Sequence, residues 1–144
     1  MIALRPADLV LIRALAQASY PVECCGILIG RREADRVTVT RIVPSANILA
    51  NERPDRFEID PRTRLEAMRQ AEAEGLEMVG HYHSHPDHPA QPSATDLAAA
   101  WEPDLVWLIV AVTKDGPGAI AAFKADDAAT RFDPVGMDTL PDDC

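Results

Sequence analysis

Apolar side chains follow two different spacings along this chain, and their interleaving is the strongest constraint on the fold. Residues 6–18 carry them at helical spacing behind Pro6, and residues 61–74 form a second helical segment that begins at Pro61 and ends at Gly75. Short segments with the composition or alternation of strands lie at 24–32, 36–43, 76–83, 105–112 and 118–124. This order predicts an α/β protein in which a mixed sheet is covered by helices on both faces.

The chain length and the residues between these segments indicate how the chain is organised. Its 144 residues fit one globular domain, for which we predict residues 1–136, followed by a flexible C-terminal tail over residues 137–144. Residues 44–60 combine prolines, asparagines and charges, so we expect a long loop that ends in a short strand near Phe57 and Ile59. Loops of this length inside a compact domain are often lids or binding loops.

The charge balance limits the kinds of partner that this chain can attract. It carries 14 Lys and Arg against 23 Asp and Glu, which gives a formal net charge of -9 and a pI of about 4.8. Such a field repels polyanions, so we do not expect nucleic acid as a partner. The sequence predicts no particular oligomeric state.

The apolar runs and the cysteines both favour a cytoplasmic protein. The longest apolar runs are far shorter than the roughly 20 residues of a transmembrane helix, so we expect no membrane association. Charges at Arg5, Asp8 and Arg13 interrupt the N-terminal apolar stretch, which argues against a signal peptide. Because the three cysteines include no CxxC pair, we expect reduced thiols, with Cys24 and Cys25 as small buried side chains.

Four histidines lie close together, at positions 81, 83, 85 and 88, and this density indicates a metal site. In an extended segment, side chains two residues apart point to the same side, so His83 and His85 can bind one metal ion. Pro86 then ends the strand and leaves both imidazoles at its edge. Two imidazoles and one carboxylate bind Zn²⁺ and leave one tetrahedral position for water, which is typical of catalytic zinc. The sequence gives His88 no definite role.

Asp96 is the predicted third ligand, although the residues alone leave alternatives open. It lies near the start of a helix that we expect from Ser93 to about Trp101, where Ser93 and Asp96 also have the spacing of a capping box. If the strand stays regular, His81 shares a side with the other two imidazoles, which would give a site of three histidines. A surface loop whose histidines bind metal adventitiously is a further alternative.

Three separate segments carry a recognisable pattern. His-Ser-His-Pro at 83–86 is followed by a serine and then an aspartate, and 21-PVECCGILIG-30 places a glutamate before a Cys-Gly pair. The third segment, 47-NILANERPDRFEIDP-61, lies between them. Together they resemble the JAMM or MPN-type zinc metalloproteases, especially their short bacterial members. The resemblance extends over nearly the whole chain, and it implies a curved mixed β-sheet between helices with a cytidine-deaminase-like layout. His81 stands where the family often has a bulky aromatic residue.

The resemblance implies a role for each matching position. His83, His85 and Asp96 match the ligands of one Zn²⁺ ion with a bound water. Glu23 matches the general acid/base, which would take the proton of the water and pass it to the departing amine. Ser93 matches the hydroxyl that helps to hold the negatively charged oxygen of the intermediate.

The resemblance also implies a substrate. Members of the family cut after the C-terminal Gly-Gly of ubiquitin-fold proteins, and short bacterial members process ubiquitin-like sulfur carriers. We therefore expect a zinc-dependent amide or isopeptide hydrolase whose partner is a small ubiquitin-like protein or its C-terminal adduct. Two alternatives stay open: a noncatalytic binding scaffold of the same fold, and a zinc hydrolase of a small molecule. The complete set of acid and ligand positions argues against the scaffold, and the missing Cys-x-x-Cys pair argues against a deaminase.

Overall fold

The computed structural model describes residues 1–53 and 56–141. Across these residues, three helices and eight strands follow one another in mixed order. Their bounds are β1 (Ile2–Leu4), α1 (Pro6–Ser19), β2 (Cys25–Glu33), β3 (Arg36–Ser45), α2 (Pro61–Ala73), β4 (Glu77–Pro86), α3 (Ala94–Ala98), β5 (Val106–Thr113), β6 (Gly116–Ala125), β7 (Phe132–Val135) and β8 (Met137–Thr139).

The strands join in one mixed sheet, in which β4 occupies a central position. Their order across the sheet is β7-β6-β5-β4-β2-β3-β1-β8. Strands β4 and β5 run parallel, as does β1 with both β3 and β8, whereas the other neighbours are antiparallel. A parallel pair needs a crossover connection, and the chain between β4 and β5 supplies one that contains α3. The predicted α/β fold with a mixed sheet is confirmed.

Helices cover both faces of the sheet, because successive residues of a strand point to opposite sides. On one face, Ile12 of α1 packs with Leu28 of β2 in the larger apolar core. On the other face, Ala71 of α2 packs with Ile27 and Ile29, the residues that flank Leu28. The alternating burial of one strand therefore requires a helix on each side.

A β-bulge determines which face the histidines of β4 occupy. The pairing of β2 with β4 shifts by one residue at Val79, which is the extra residue of the bulge. Val79 and Tyr82, three positions apart, both contribute to the core beneath α1, which a regular strand does not allow. The bulge therefore turns His81, His83 and His85 to the opposite face.

The last two strands link the two edges of the sheet. Strand β7 pairs with β6 at one edge, Gly136 follows, and β8 pairs with β1 at the other edge. The sheet is consequently curved and nearly closed. The sequence led us to expect a flexible tail from residue 137, but Met137–Thr139 form β8, and residues 142–144 lie outside the described residues. That residues 1–136 form a single domain stays a prediction.

Helix α3 is shorter than the sequence predicted. It spans Ala94–Ala98 and does not reach Trp101, whose surface is 82% exposed. Pro103 follows soon after, and a residue that precedes a proline is disfavoured in helical geometry. Within the described ranges, no helix combines the length and hydrophobicity needed to cross a bilayer.

The connection between β3 and α2 is long, and its described residues are mostly irregular. Strand β3 extends to Ser45, and the predicted strand at the end of the loop is reduced to an isolated bridge between Asn47 and Ile59. Pro54 and Asp55 lie outside the described residues. The loop returns the chain to the start of α2, beside the histidines of β4.

Candidate metal centre

His83 and His85 present their imidazoles to the same point in space. Both belong to β4, and the two residues are buried. Their Nε2 atoms lie 3.0 Å apart. The two-residue spacing of the sequence thus produces the predicted pair, because both side chains leave the strand on one side.

Asp96 reaches this pair from the first turn of α3. Its Oδ2 lies 3.3 Å from Nε2 of His83 and 3.1 Å from Nε2 of His85. The backbone N–H of Ser93 donates to the same Oδ2 at 2.9 Å, and the N–H of Asp96 donates to Oγ of Ser93 at 3.0 Å. The capping box and the approach to the imidazoles therefore exist together in one carboxylate.

The three groups have the chemistry and spacing of a metal site. In a tetrahedral zinc site with bonds of about 2.0–2.1 Å, neighbouring donor atoms lie about 3.3 Å apart. The separations among the two Nε2 atoms and the carboxylate oxygen are 3.0, 3.1 and 3.3 Å. Two imidazoles and a carboxylate are also the donor set of a catalytic zinc site, so these residues fit a metal ion.

The orientation of each imidazole is fixed by a different contact. Nδ1 of His85 lies 3.0 Å from the carbonyl oxygen of Pro89, a contact of the kind that orients metal-binding histidines. The ring of His83 instead stacks on Phe57, with centroids 4.3 Å apart and an interplanar angle of 17°. Nδ1 of His83 has no hydrogen-bond partner among the described residues. Stacking on Phe57, rather than a hydrogen bond at Nδ1, thus supports the His83 ring, whose Nε2 faces Asp96 and His85.

The electrostatic environment favours the metal-binding protonation state of Asp96 and of His83, whereas at His85 it acts against the neutral form. Burial lowers the pKa of His83, and its contact with Asp96 only partly opposes this. Burial also acts to lower the pKa of His85, but the contacts with Asp96 and with the Pro89 carbonyl outweigh it, so that the pKa is raised. For Asp96, burial acts to raise the pKa, yet the two imidazoles hold it well below its usual range. The carboxylate is therefore ionised and His83 is neutral, as metal binding requires.

Glu23 approaches the same point from the residues just before β2. It is buried, and one side-chain oxygen of Glu23 lies within 4.8 Å of a ring nitrogen of both His83 and His85. The next residue is fixed to β4, because the N–H of Cys24 donates to Oγ of Ser84 at 2.8 Å and the N–H of Ser84 donates to the Cys24 carbonyl at 3.1 Å. The acid is thus close enough either to bind the metal itself or to act on a water beside it.

An open cleft leads to this centre. Its volume is about 560 Å³, and Glu23, His85 and Ser93 line it together with the proline-rich loop after β4. His88, which is exposed, lies on the same wall. The site residues predicted from the sequence therefore lie together at one end of β4, and Ser93 is an exposed residue in the lining of the cleft.

His81 faces the same side of β4 but lies outside this group. Its ring centroid is 4.4 Å from that of Trp107 and 5.8 Å from that of Phe57. Burial lowers its pKa to about 3. It lines a separate cavity of about 420 Å³ together with the exposed Trp101. Among the described residues, the ligand atoms that lie within 4.8 Å of one another belong to Glu23, His83 and His85, and His81 is not one of this group.

Sequence reasoning missed three residues that support the centre. Ser84 secures the segment beside Glu23, Phe57 supports His83, and Asn47 donates to the carbonyl oxygen of Glu23. Only the polar Ser84, between two histidines on a strand, carried a local signal, because its side chain had to face the opposite side from theirs. Asn47 and Phe57 lie in the segment 47–61 that contributes to the family resemblance, but their contacts join separate segments, so sequence reasoning assigned neither residue a role.

Comparisons with known proteins give the chain a family and relatives. The family described as prokaryotic homologs of the JAB domain matches residues 7–126. The chain is similar to a desampylase from Haloferax volcanii, with 40% identity over 94 residues that make up 65% of this chain and 66% of that protein. The aligned segment thus spans just under two thirds of the length of this relative. The chain is also similar to a CysO-cysteine peptidase from Mycobacterium tuberculosis, with 32% identity over 132 residues, 91% of this chain and 88% of that protein.

A solved structure agrees over almost the full length. The solution structure of a protein from Desulfitobacterium hafniense is similar to this chain with a TM-score of 0.85 and 32% identity, over 99% of this chain and 94% of the other. The family match covers most of the chain and includes every residue of the centre described above. The chain belongs to the family of prokaryotic homologs of the JAB domain, as its resemblance to the JAMM and MPN-type proteins implied.

Proposed function

We propose that this protein is a zinc-dependent hydrolase that cleaves the amide or isopeptide bond after the C-terminal Gly-Gly of a small ubiquitin-fold protein of the sulfur-carrier kind. One observation carries the proposal: the Nε2 atoms of His83 and His85 and the carboxylate of Asp96 converge within 3.3 Å beside the buried Glu23. A scaffold without catalysis has no need for this convergence of buried polar groups, which is costly to build without a ligand.

His83, His85 and Asp96 would hold the zinc ion. When bound, zinc supplies Lewis acidity and brings the pKa of a coordinated water near neutrality. Glu23 accepts the proton of the attacking water and later donates it to the departing amine. Its position in the wall of the cleft, close to ring nitrogens of His83 and His85, supports this role.

Ser93 stabilises the negative charge that develops on the carbonyl oxygen. Its Oγ already accepts the N–H of Asp96, so the hydroxyl proton is directed elsewhere and can be donated toward the cleft. Preorganised donors of this kind contribute most when they need no reorganisation during the reaction. The capping box thus fixes Ser93 in place for its second role.

The substrate class rests on the relatives and on the shape of the site. The names of two relatives describe a desampylase and a peptidase of CysO-cysteine. A Gly-Gly tail has no side chains, so that its backbone can pass close to a buried centre such as this one. The formal net charge of -9 favours a protein tail over nucleic acid as the bound chain.

We also infer that the protein works in the cytoplasm. Cys24 and Cys25 are buried free thiols, which suits a reducing compartment. No specific observation favours either the scaffold or the hydrolysis of a small molecule.

The proposal is tested by incubating the zinc-loaded protein with ubiquitin-fold carriers that extend beyond Gly-Gly and analysing the products by mass spectrometry. We expect wild type to release the extension after Gly-Gly. Glu23→Gln should keep one zinc per chain and lose cleavage, whereas His83→Ala should lose both the zinc and the cleavage.

Two variants serve as matched controls. Glu33→Gln makes the same chemical change at the far end of β2, at an exposed position, and should cleave like wild type. His88→Ala removes an exposed histidine and should keep its zinc. Undiminished cleavage by Glu23→Gln would remove the assignment of the base, and a wild type that cleaves no carrier would refute the proposed function.

A further inference from the structure

We propose that Asn47 is a positioning residue for the reaction: its carboxamide ties the backbone of Glu23 to the loop segment 56–58 and thereby holds the general base at the metal centre. The assignment of a base rests on the proposed function. The contact itself is a property of the fold. Asn47 follows β3, in the loop that the sequence predicted as a lid or binding loop.

The carboxamide of Asn47 makes four hydrogen bonds to backbone groups. Its Nδ2 donates to the carbonyl oxygen of Glu23 at 3.0 Å and to that of Arg56 at 3.0 Å. Its Oδ1 accepts the N–H of Leu49 at 3.0 Å and the N–H of Glu58 at 3.0 Å. One side chain therefore connects its own segment, residues 47–49, to residues 56–58 at the other end of the loop and to Glu23, which lies 24 positions away.

These four contacts require an asparagine. A carboxamide has two donors and two acceptor sites, and all of them are used here. With the amide reversed, the oxygen would face two carbonyl oxygens and the NH₂ would face two N–H groups, so only one orientation is possible. Aspartate has the same shape but cannot donate, and alanine would leave all four backbone groups without this partner.

The contact with Glu23 adds a second hydrogen bond to one peptide group. The carbonyl oxygen of this group belongs to Glu23 and accepts from Asn47, and its N–H belongs to Cys24 and donates to Oγ of Ser84 in β4. The peptide plane that follows the Cα atom of Glu23 is therefore held from two neighbouring segments. This constraint on the backbone keeps the carboxylate of Glu23 directed into the cleft beside His85 and Ser93.

The other side of the contact reaches a metal ligand. Glu58, whose N–H is bound by Asn47, follows Phe57, and Phe57 stacks on the ring of His83 at 4.3 Å. The N–H of Ile48 also donates to the carbonyl of Glu58 at 3.1 Å, which joins the two arms of the loop. Residues 47–49 and 56–58 are therefore held together beside the centre, and we call the four hydrogen bonds of the Asn47 side chain the fastening.

The fastening is tested first without any reaction. Amide hydrogen exchange of Leu49 and Glu58, followed by NMR in metal-free and zinc-loaded protein, should become at least about tenfold faster in Asn47→Ala, because exchange reports local opening. Ser45→Ala is the matched control, since it removes hydrogen bonds to Ala46 and Asp60 in the same loop but does not touch Glu23. Unchanged exchange in Asn47→Ala would overturn the fastening, whatever the protein cleaves.

The link to the base is tested by a double-mutant cycle on the zinc-loaded protein under single-turnover conditions. Asn47→Ala should bind one zinc per chain and lose about tenfold or more in kcat, with KM within about twofold of wild type, because a small displacement of the base affects the reacting state most. Glu23→Gln leaves at most a slow residual reaction, and the same substitution in that background should lower this residual single-turnover rate by less than about twofold further.

The outcomes separate this inference from the function on which it rests. An equal loss of kcat in both backgrounds would show that Asn47 acts on folding or on binding, and would overturn its positioning role. Asn47→Asp, which keeps the shape and the two acceptor contacts, should lose kcat like Asn47→Ala, and wild-type kcat in Asn47→Asp would also overturn it. A wild type that cleaves no carrier would refute the proposed function and the catalytic part of this inference, while the exchange experiment still decides on the fastening.

Discussion

At the scale of single residues, His81 is a polar side chain in a buried aromatic environment. It is buried beside Phe57 and Trp107, and its Nδ1 has no hydrogen-bond partner among the described residues. A buried polar atom without a partner costs about 1–3 kcal/mol. We expect His81→Phe to raise the free energy of unfolding by about 1 kcal/mol in urea denaturation, because a phenyl ring fills the same aromatic environment without that cost.

The same variant decides whether His81 binds the metal. His81→Phe should still bind one zinc per chain, as measured by atomic emission after dialysis. His85→Phe is the matched control and should lose the zinc. Loss of zinc from His81→Phe would revive the site of three histidines.

A site residue could be predicted when the residues next to it in the sequence determine where its side chain points. The spacing of His83 and His85 was sufficient, because a strand fixes the direction of side chains two residues apart. Asp96 stayed ambiguous with a cap, and the structure shows a capping contact and an approach to the imidazoles in the same carboxylate. Glu23 could be found only through the family resemblance, and Asn47 not at all, because its partners are backbone groups up to 24 positions away.

At the scale of elements, the placement of β4 against β5 depends on a glycine. A Cβ atom added to Gly80 would lie 2.3 Å from the carbonyl oxygen of Val106, an approach that neither backbone can avoid without a shift. We expect Gly80→Ala to lower the free energy of unfolding by about 2 kcal/mol or more, as overpacking of a rigid site does. Its zinc affinity should also fall, because His83 and His85 lie on the displaced strand.

A glycine in β6 provides the control for this prediction. A Cβ added to Gly118 would meet its nearest atom at 3.7 Å, an ordinary contact. Gly118→Ala should therefore change stability by less than about 0.5 kcal/mol. Equal urea midpoints for the two variants would contradict the role given to the close approach of β4 and β5.

The elements themselves were largely predictable, but their orientation was not. The helices α1 and α2 and the strands β2 to β6 lie where the apolar spacing placed them. The bulge at Val79 left no trace in the spacing, although it decides which face the histidines occupy. The end of α3 was misjudged because Trp101, which continued the helical pattern, is exposed instead.

At the scale of the whole molecule, closure of the sheet depends on its last strand. In β8, three residues pair with β1, whose Ile2, Ala3 and Leu4 are fully buried, and the N–H of Leu140 donates to the carbonyl of Leu4 at 2.8 Å. A chain that ends at Gly136 should lose about 2–3 kcal/mol of unfolding free energy, since each lost hydrogen bond contributes about 1 kcal/mol.

The control for this truncation is a chain that ends at Pro141, which keeps every pairing of β8 and should unfold like the full chain. If the two truncated chains have the same thermal midpoint, β8 does not close the sheet. The strand escaped prediction because three residues are too few for an alternating pattern, and its pairing with β1 joins the opposite ends of the chain. The overall α/β arrangement, by contrast, followed from the order of helical and strand segments.

We propose one metal ion between His83, His85 and Asp96, with Glu23 beside it as a base. The test is anomalous diffraction at the zinc absorption edge from crystals of the zinc-loaded protein. We expect one peak per chain, bonded to Nε2 of both histidines and to a carboxylate oxygen of Asp96, with a water between the zinc and Glu23. A peak bonded to His81, or to Glu23 in place of Asp96, would contradict this proposal.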